Sequence, residues 1–349
     1  MPPSPELAGA LAALIAAKGP IGLDRFMGAA NAHYYATRDP FGAEGDFVTA
    51  PEISQMFGEL VGLSLADVWH RAGRPAAHYV ELGPGRGTLA ADARRAMAKA
   101  GLHPSFHLVE TSPRLRESQK LRVADAAWHD DLVTLPTDGA LLIVANEFFD
   151  ALPIRQFVRT VNGWRERLVG HGADGFAPVP GSDSMDDRIA PRLRDADPGS
   201  IVEQGPAGLS VAHRLGERLA RQGGAMLAID YGHAGGHPGD TLQAVHAHAY
   251  ADPFARPGQS DLTAHVDFGA LAAAVTEGGG QPLGPVDQGQ WLLALGLAHR
   301  AASLARAAPD RADEIQAAYR RLSHPDEMGR LFKVLGAVGP GWPALAGFG

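Results

Sequence analysis

A strand that ends in three closely spaced glycines and runs straight into a helix constrains this chain more than any other stretch. Val80-Glu81-Leu82-Gly83-Pro84-Gly85-Arg86-Gly87-Thr88-Leu89 follows the apolar run His78-Tyr79-Val80 and precedes an alanine-rich run to about Ala100. Glycine lets a backbone turn sharply and come close to a ligand. A helix beginning near Thr88 aims free N–H groups and the positive end of its dipole at that ligand. A tight turn with no ligand would use the same glycines. The following apolar run, Ser105-Phe106-His107-Leu108-Val109, favours a ligand because it ends in an acid, Glu110, 23 residues after Gly87. A carboxylate at that strand end can accept both hydroxyls of an adenosine ribose.

Two ligand classes fit. The dinucleotide fingerprint is G-x-G-x-x-G, and here the third glycine arrives one residue early. Acid-x-G-x-G-x-G, with Glu81 two residues before Gly83, resembles instead the S-adenosylmethionine (SAM) motif of class I methyltransferases. Both NAD and SAM carry the ribose, so Glu110 does not choose between them.

The elements around the turn alternate. Strands are expected at 78–83, 105–110, near Trp128-His129-Asp130-Asp131, at 140–145 and at 225–230, with helices at 88–100, 112–124 and 207–221. Alternation of this kind gives a doubly wound, mostly parallel α/β sheet, and continuous apolar strands fit burial on both faces. Ligands of such sheets sit outside the carboxyl ends of the strands. Those ends carry Gly83, Glu110, Asp131, Asn146-Glu147 and Asp230.

The remaining chain elaborates this core. A helix is expected from Pro5 to Ala17, stopped by Gly19-Pro20, and another from Leu23 to Ala32. Tyr34-Tyr35 and Gly42 to Pro51 read as loop. Glu52 to His70 reads as one amphipathic helix with Ile53, Phe57, Leu60 and Leu63 to Leu65 inward. Asn162-Gly163 between two alternating strands, Ile154 to Arg159 and Trp164 to Val169, signals a hairpin. With the polar segment 172–199 it should form a separate lobe. The tail should hold helices near 291–305 and 309–322 and a loosely held Gly/Pro-rich end. The expected division is therefore 1–72 as a helical and loop extension, 73–153 with 201–290 as the nucleoside-binding core, 154–200 as the hairpin lobe, and 291–349 as a helical tail.

Composition excludes several chemistries. The chain lacks cysteine, which rules out disulfides, thiol catalysis and thiolate metal sites. A net charge of −8 argues against nucleic acid as the main partner and suits a cationic substrate. No apolar run reaches the roughly 18 residues needed to span a bilayer, and Met1 to Lys18 lacks the basic start and cleavage site of a signal peptide, so a cytoplasmic location is expected. His233, His237, His246, His248 and His265 cluster in sequence but lack metal-ligand spacing; no metal is expected.

Chemistry should centre on Asn146-Glu147-Phe148-Phe149-Asp150-Ala151-Leu152-Pro153, directly after a buried strand. Glu147 and Asp150 could hold a cation or remove a proton, and a guanidinium fork matches carboxylate oxygens. Phe148 and Phe149 could wall a flat ligand. The plainer alternative is a pair of acids at the start of a helix, serving its dipole. Glu203, after Ser200-Ile201-Val202, ranks behind Glu147 as a strand-end acid or a helix cap.

Three long stretches carry a resemblance: Gly45-Asp46-Phe47-Val48-Thr49-Ala50-Pro51-Glu52-Ile53-Ser54-Gln55-Met56-Phe57-Gly58-Glu59, then Glu81 to Leu89, then Asn146 to Pro153. Asp230-Tyr231-Gly232-His233, Asp261 to Phe268 and Met328-Gly329 add to it. The chain resembles the SAM-dependent methyltransferase family that includes the mitochondrial complex I assembly-factor arginine methyltransferase, over about Gly19 to Leu335. The resemblance implies a class I methyltransferase fold with an N-terminal extension and an inserted hairpin lobe. It implies SAM as methyl donor and S-adenosylhomocysteine as product. It further implies a protein acceptor, an arginine of the large catalytic-core subunit of the NADH–quinone oxidoreductase. By family pattern Gly83, Pro84, Gly85, Gly87 and Thr88 contact SAM with Glu81. Glu110 takes the ribose and Asp131 the adenine side, while Glu52, Gln55 and Asn146 complete the pocket. Asn146 stands where the mitochondrial form has His before Glu-Phe-Phe-Asp. With no evident transit peptide, the chain looks like a bacterial relative, and a homodimer is entertained.

The catalytic expectation is Glu147, with Asp150 or Glu203, as acceptor of the arginine proton. Three rivals stand beside it: a small-molecule O- or N-methyltransferase on the same fold, an assembly chaperone holding SAM without turnover, and, more distantly, an NAD-dependent dehydrogenase.

Overall fold

The apolar strands form a sheet buried on both sides. In the computed structural model, which describes residues 5–37, 49–236, 238–246 and 249–348, seven strands of one eight-stranded sheet run side by side: β1 (Ala77–Leu82), β2 (Ser105–Val109), β3 (Ala127–His129), β4 (Ala140–Asn146), β5 (Gly224–His233), β6 (Gln281–Asp287) and β7 (Phe332–Val338). Their order is β6-β7-β5-β4-β1-β2-β3. The five from β5 to β3 are mutually parallel, whereas β7 is antiparallel to both β5 and β6. Every residue of β4 is buried, as a strand flanked on both sides and covered on both faces must be. The order reverses between β1 and β4, where Leu82 faces Ala145; such a switch point opens a crevice at the strand ends.

The chain divides into two compact units. One holds residues 48–149, 210–234 and 268–349, with this sheet; the other holds 1–47, 150–209 and 235–267. That grouping differs from the four-part division expected from sequence. The tail is part of the first-named unit because β7 inserts between β5 and β6. Leu345 is buried and the Phe348 ring lies 6.5 Å from that of Trp291, so the Gly/Pro-rich end is packed rather than loosely held. Its helices are Gln288–Ala294, Leu297–Ala307 and Ala312–Ser323. The first expected helix there is split at Gly296, which adopts a left-handed φ of 93°.

The stretch read as one helix from Glu52 to His70 is two, Ala50–Ile53 and Gln55–Arg71. Ser54 breaks it: at φ −163° and ψ 139° it leaves the helix, and its side chain accepts the Met56 N–H, as an N-cap does. Leu63, expected inward, is 43% exposed. The longer helix lies against Thr88–Lys99 through two glycines. A Cβ at Gly62 would fall 2.6 Å from the Ala93 carbonyl oxygen, and one at Gly58 would fall 2.6 Å from Asp92 Cβ. Met56, Phe57, Leu60, Val61 and Leu65 join Leu89, Ala90, Ala93 and Met97 in one core with the sheet.

The other unit is built on antiparallel strands. Arg155–Thr160 pairs with Gly163–Gly172 and with Ile201–Gln204, and Gly163–Gly172 also pairs with Gly175–Pro180 and Ile21–Gly22. The hairpin is present, one residue displaced from the Asn-Gly reading. Thr160 faces Gly163, so Val161-Asn162 is the loop and Gly163 carries the left-handed φ of 101°. Helices Pro5–Lys18 and Leu23–Thr37 pack here, with Leu11, Ile15, Phe26 and Met27 against Ile154, Val169 and Phe254. Tyr34-Tyr35 belong to the second helix rather than to a loop. Tyr34 continues the buried stripe of Leu23, Met27, Ala30 and Asn31, the spacing of one helix face. Of the loop expected over 42–51, Ala50 and Pro51 open the helix Ala50–Ile53; its residues 42–48, which include motif residues 45–48, and histidines 237 and 248 lie outside the described residues. No described helix is long and apolar enough to cross a membrane.

Candidate functional site

The glycine turn follows β1 at the switch point. Gly83, Gly85 and Gly87 have φ of 60°, 52° and 81°, a region that only glycine enters at no steric cost. The turn is closed by Gly87 N–H donating to Pro84 O at 2.7 Å and tied to β2 by Gly83 N–H donating to Val109 O at 3.0 Å. The helix from Thr88 then begins. The Thr88 hydroxyl donates to Glu52 Oε1, which ties the helix Ala50–Ile53 to the start of the helix after the turn. Gln55 is exposed and donates instead to Glu59 of its own helix at 3.2 Å. Glu59 is in turn held by both arms of Arg300.

Glu81 sits inside the sheet. Its Oε2 accepts the Tyr79 hydroxyl at 2.6 Å, and both side chains are buried. Burial pushes the Glu81 carboxyl up to about 8, against a smaller lowering by the tyrosine bond. Glu110 closes β2. Its Oε1 accepts the Ser112 N–H at 2.8 Å and its Oε2 the Gln119 amide at 3.3 Å. Burial raises its carboxyl, opposed by those hydrogen bonds. Asp131 is exposed, and its Oδ1 accepts the Val133 N–H at 2.7 Å, holding the turn after β3.

At the end of β4 the backbone does something unusual. Glu147 has φ of 49°, one of two non-glycine residues with positive φ among the described residues. Such conformations cost about 1–3 kcal/mol and gather at functional sites. No helix follows, so the plainer reading of these acids as helix N-terminal residues does not apply. Glu147 Oε1 accepts the Ala50 N–H at 3.1 Å and the Asn146 amide at 3.2 Å. The Phe148 ring faces the glycine turn: a Cβ at Gly83 would lie 3.0 Å from its Cδ2. Phe149 is buried, so only Phe148 walls the site.

Asp230, counted from sequence among the rim residues, is fully buried. Its carboxylate accepts the N–H groups of Phe148, Phe149 and Tyr231 at 3.2, 3.0 and 3.0 Å. It fixes the turn that carries Glu147 instead of facing a ligand.

Two expected acids belong to the other unit. Asp150 is buried there, and its carbonyl accepts the Ala264 N–H. Glu203 lies in Ile201–Gln204, where its oxygens accept from Gln156 Nε2 at 2.6 Å, from Thr241 N–H at 3.0 Å and from the Thr241 hydroxyl. Burial raises its carboxyl and these bonds lower it. Gln156 and Arg167 link the same group to Asp240.

One acceptor marks where a ligand would sit. Asn146 Oδ1 is buried and has no hydrogen-bond partner among the described residues, at the strand end next to the glycine turn. A buried acceptor left alone is costly, and a ligand bearing ammonium or amino donors would satisfy it. Glu110, with two oxygens at the end of β2, suits a ribose diol. These acceptors therefore fit SAM, which carries an ammonium and a ribose diol. The sequence profile of a family described as "Putative S-adenosyl-L-methionine-dependent methyltransferase" matches residues 60–286. The chain belongs to this methyltransferase family. Its cofactor class is SAM, and the dehydrogenase reading falls.

Relatives agree. The protein arginine methyltransferase NDUFAF7 homolog of Drosophila melanogaster mitochondria is 37% identical, covering 96% of this chain and 85% of its own. The human mitochondrial protein arginine methyltransferase NDUFAF7 is 34% identical over 86% and 75%. A crystal structure of a Burkholderia thailandensis superfamily member bound to S-adenosyl-homocysteine superposes with a TM-score of 0.85 at 29% identity, covering 98% of this chain and 93% of that one.

Sequence reasoning missed Gln119, fully buried, which joins Gly85 and Glu110. The available signal was its place four residues after Leu115, on the buried face of an otherwise polar helix.

Proposed function

We propose that this methyltransferase is a protein arginine N-methyltransferase acting on a subunit of the NADH–quinone oxidoreductase. The observation that carries the reading is Glu147: a carboxylate in a strained backbone conformation, held by Ala50 and Asn146 at the end of β4. Bound SAM supplies an electrophilic methyl on a sulfonium. The chain's own residues then do the rest. Gly83, Pro84, Gly85, Gly87 and Thr88 cradle the methionine part with Glu52, Glu81 and Asn146, Glu110 takes the ribose, and Asp131 lies on the adenine side. Glu147 pairs with the acceptor guanidinium, concentrates its charge on one side and leaves the opposite nitrogen aligned for attack. Arginine has a pKa above about 12, so a carboxylate that takes its proton around transfer lowers the barrier. Asp150 and Glu203 belong to the other unit, where Glu203 already accepts three hydrogen bonds; Glu147 is the acid this reading rests on.

Support for the arginine comes from the two curated relatives, named as arginine methyltransferases, and from the net charge of −8. The respiratory acceptor rests on the family resemblance of the three long motifs. The test is incubation with methyl-labelled SAM and the isolated core subunit, followed by mass spectrometry of its arginine peptides. Label on arginine that disappears when that arginine is changed to lysine supports the reading; label confined to small molecules rejects it. In the same assay Glu147→Gln should cut turnover by about 100-fold or more and change S-adenosylhomocysteine affinity little. Equal loss of both would remove Glu147 from the chemistry.

A further inference from the structure

The helix Pro113–Lys120 carries seven polar or proline positions and buries two side chains, Leu115 and Gln119. Leu115 is ordinary core. Gln119 is a fully buried amide whose three contacts use both of its donors and one acceptor position of its oxygen. Its Oε1 accepts the Trp128 indole N–H at 2.8 Å. An indole nitrogen can only donate, so this contact settles which end of the amide is oxygen. The two donors of the Nε2 group must then point the other way. One goes to the Gly85 carbonyl at 2.8 Å, the other to Glu110 Oε2 at 3.3 Å. A Cβ at Gly87 would lie 3.4 Å from Gln119 Cα and Cγ, so the helix also backs the third glycine. The other Glu110 oxygen is fixed by Ser112 N–H, and its carbonyl by Arg116.

We infer that Gln119 is a positioning residue that locks the glycine turn and Glu110 into one rigid unit, so that the carboxylate meets the ribose hydroxyls of the cofactor in register. The inference rests on the reading of this site as the SAM site. One amide spans the two elements assigned to the methionine part and to the ribose of the ligand, and the indole of Trp128 on β3 decides which way that amide faces. A flipped amide would set its oxygen against a carbonyl and a carboxylate, three acceptors together, and release Glu110 from its bond. Ribose recognition is thus controlled from behind the binding surface by a residue that touches no ligand.

The test is calorimetric binding of S-adenosylhomocysteine and its 2′,3′-dideoxy analogue to the full chain and to Gln119→Leu, Gln119→Glu and Trp128→Phe. The unaltered chain should prefer the ribose form by about 10- to 100-fold, the range of hydrogen bonds to a charged group. Gln119→Leu should weaken the ribose form by about that factor and leave the dideoxy analogue nearly unchanged, so the preference collapses. Trp128→Phe, which keeps most of the volume and removes the orienting N–H, should give an intermediate preference. Gln119→Glu places a carboxylate against Glu110 and should lose the ribose form most. A merely structural role would raise both dissociation constants together and keep the ratio; that result in either Gln119→Leu or Trp128→Phe overturns the inference. Failure of the unaltered chain to bind S-adenosylhomocysteine overturns the cofactor reading and this inference with it.

Discussion

Replacing Glu81 by Gln should stabilise the protein by an amount that grows with pH. The Glu81 carboxyl is enclosed in the sheet with the Tyr79 hydroxyl as partner, and burial raises it from 4.5 to about 8. In the unfolded chain it ionises above 4.5; in the folded chain it keeps its proton up to about 8. Between those values the unfolded state binds fewer protons, so folding stability falls as pH rises. The slope is about 1.4 kcal/mol per pH unit. From pH 5 to pH 7 this group alone should remove roughly 2–3 kcal/mol. Glutamine keeps an acceptor for Tyr79 and does not titrate. Urea midpoints of the two proteins at pH 5, 6, 7 and 8, followed in the transition of the sheet-bearing unit, give the difference directly. The gap between variant and wild type should widen in favour of the variant by that amount from pH 5 to 7 and level off above 8. A gap that stays constant would mean Glu81 is ionised in the folded protein, and the burial argument would be wrong.

His107 titrates in the opposite sense. Burial, with the neighbouring His129 and His78, lowers it to about 4 from 6.5, so the unfolded chain takes up its proton first and stability is lost as pH falls from 6.5 to about 4. His107→Gln should flatten that acid limb in melting curves recorded between pH 6.5 and 4.5; an unchanged limb would assign it to other groups. Gly62→Ala puts a methyl 2.6 Å from the Ala93 carbonyl oxygen and should cost about 1–3 kcal/mol by urea unfolding, whereas alanine at Gly9, which has open space, should not destabilise. A neutral Gly62→Ala would show that the two helices can move apart freely.

The glycine turn was legible from the spacing of Gly83, Gly85 and Gly87, and β1, β2, β4 and β5 from mostly apolar runs between clear breaks, signals that need no tertiary information. The edge beyond β5 was not. β6 reads Gln281-Pro282-Leu283-Gly284-Pro285-Val286-Asp287, and prolines argue against a strand unless it lies at a sheet edge, which is where this one sits. The break at Ser54 was invisible because no Glu or Gln follows at position 57 to make a capping box; Phe57 stands there instead. The carboxylates of the site were found by type, but their roles were not. Glu81 and Asp230 are as acidic in sequence as Glu110, and only their partners in the fold separate a carboxyl turned to a tyrosine, or to three backbone amides, from one held by Ser112 and Gln119 at the end of β2. Gln119 carried no chemical flag at all; its importance lies in three partners from three different segments.

The place of β7 has a consequence for how the protein is made. Seven residues near position 335 take the place between β5 and the edge strand β6, against a partner, β5, completed a hundred residues earlier. Until the ribosome has delivered them, the apolar edge of β5 from Ala225 to Ile229 has no neighbour on that side, and unpaired edges recruit other chains. The glycine turn can form early, but the nascent protein stays adhesive through a long interval of synthesis. Dependence on a holding chaperone during translation, and insolubility of products that stop before residue 338, follow from strand order alone.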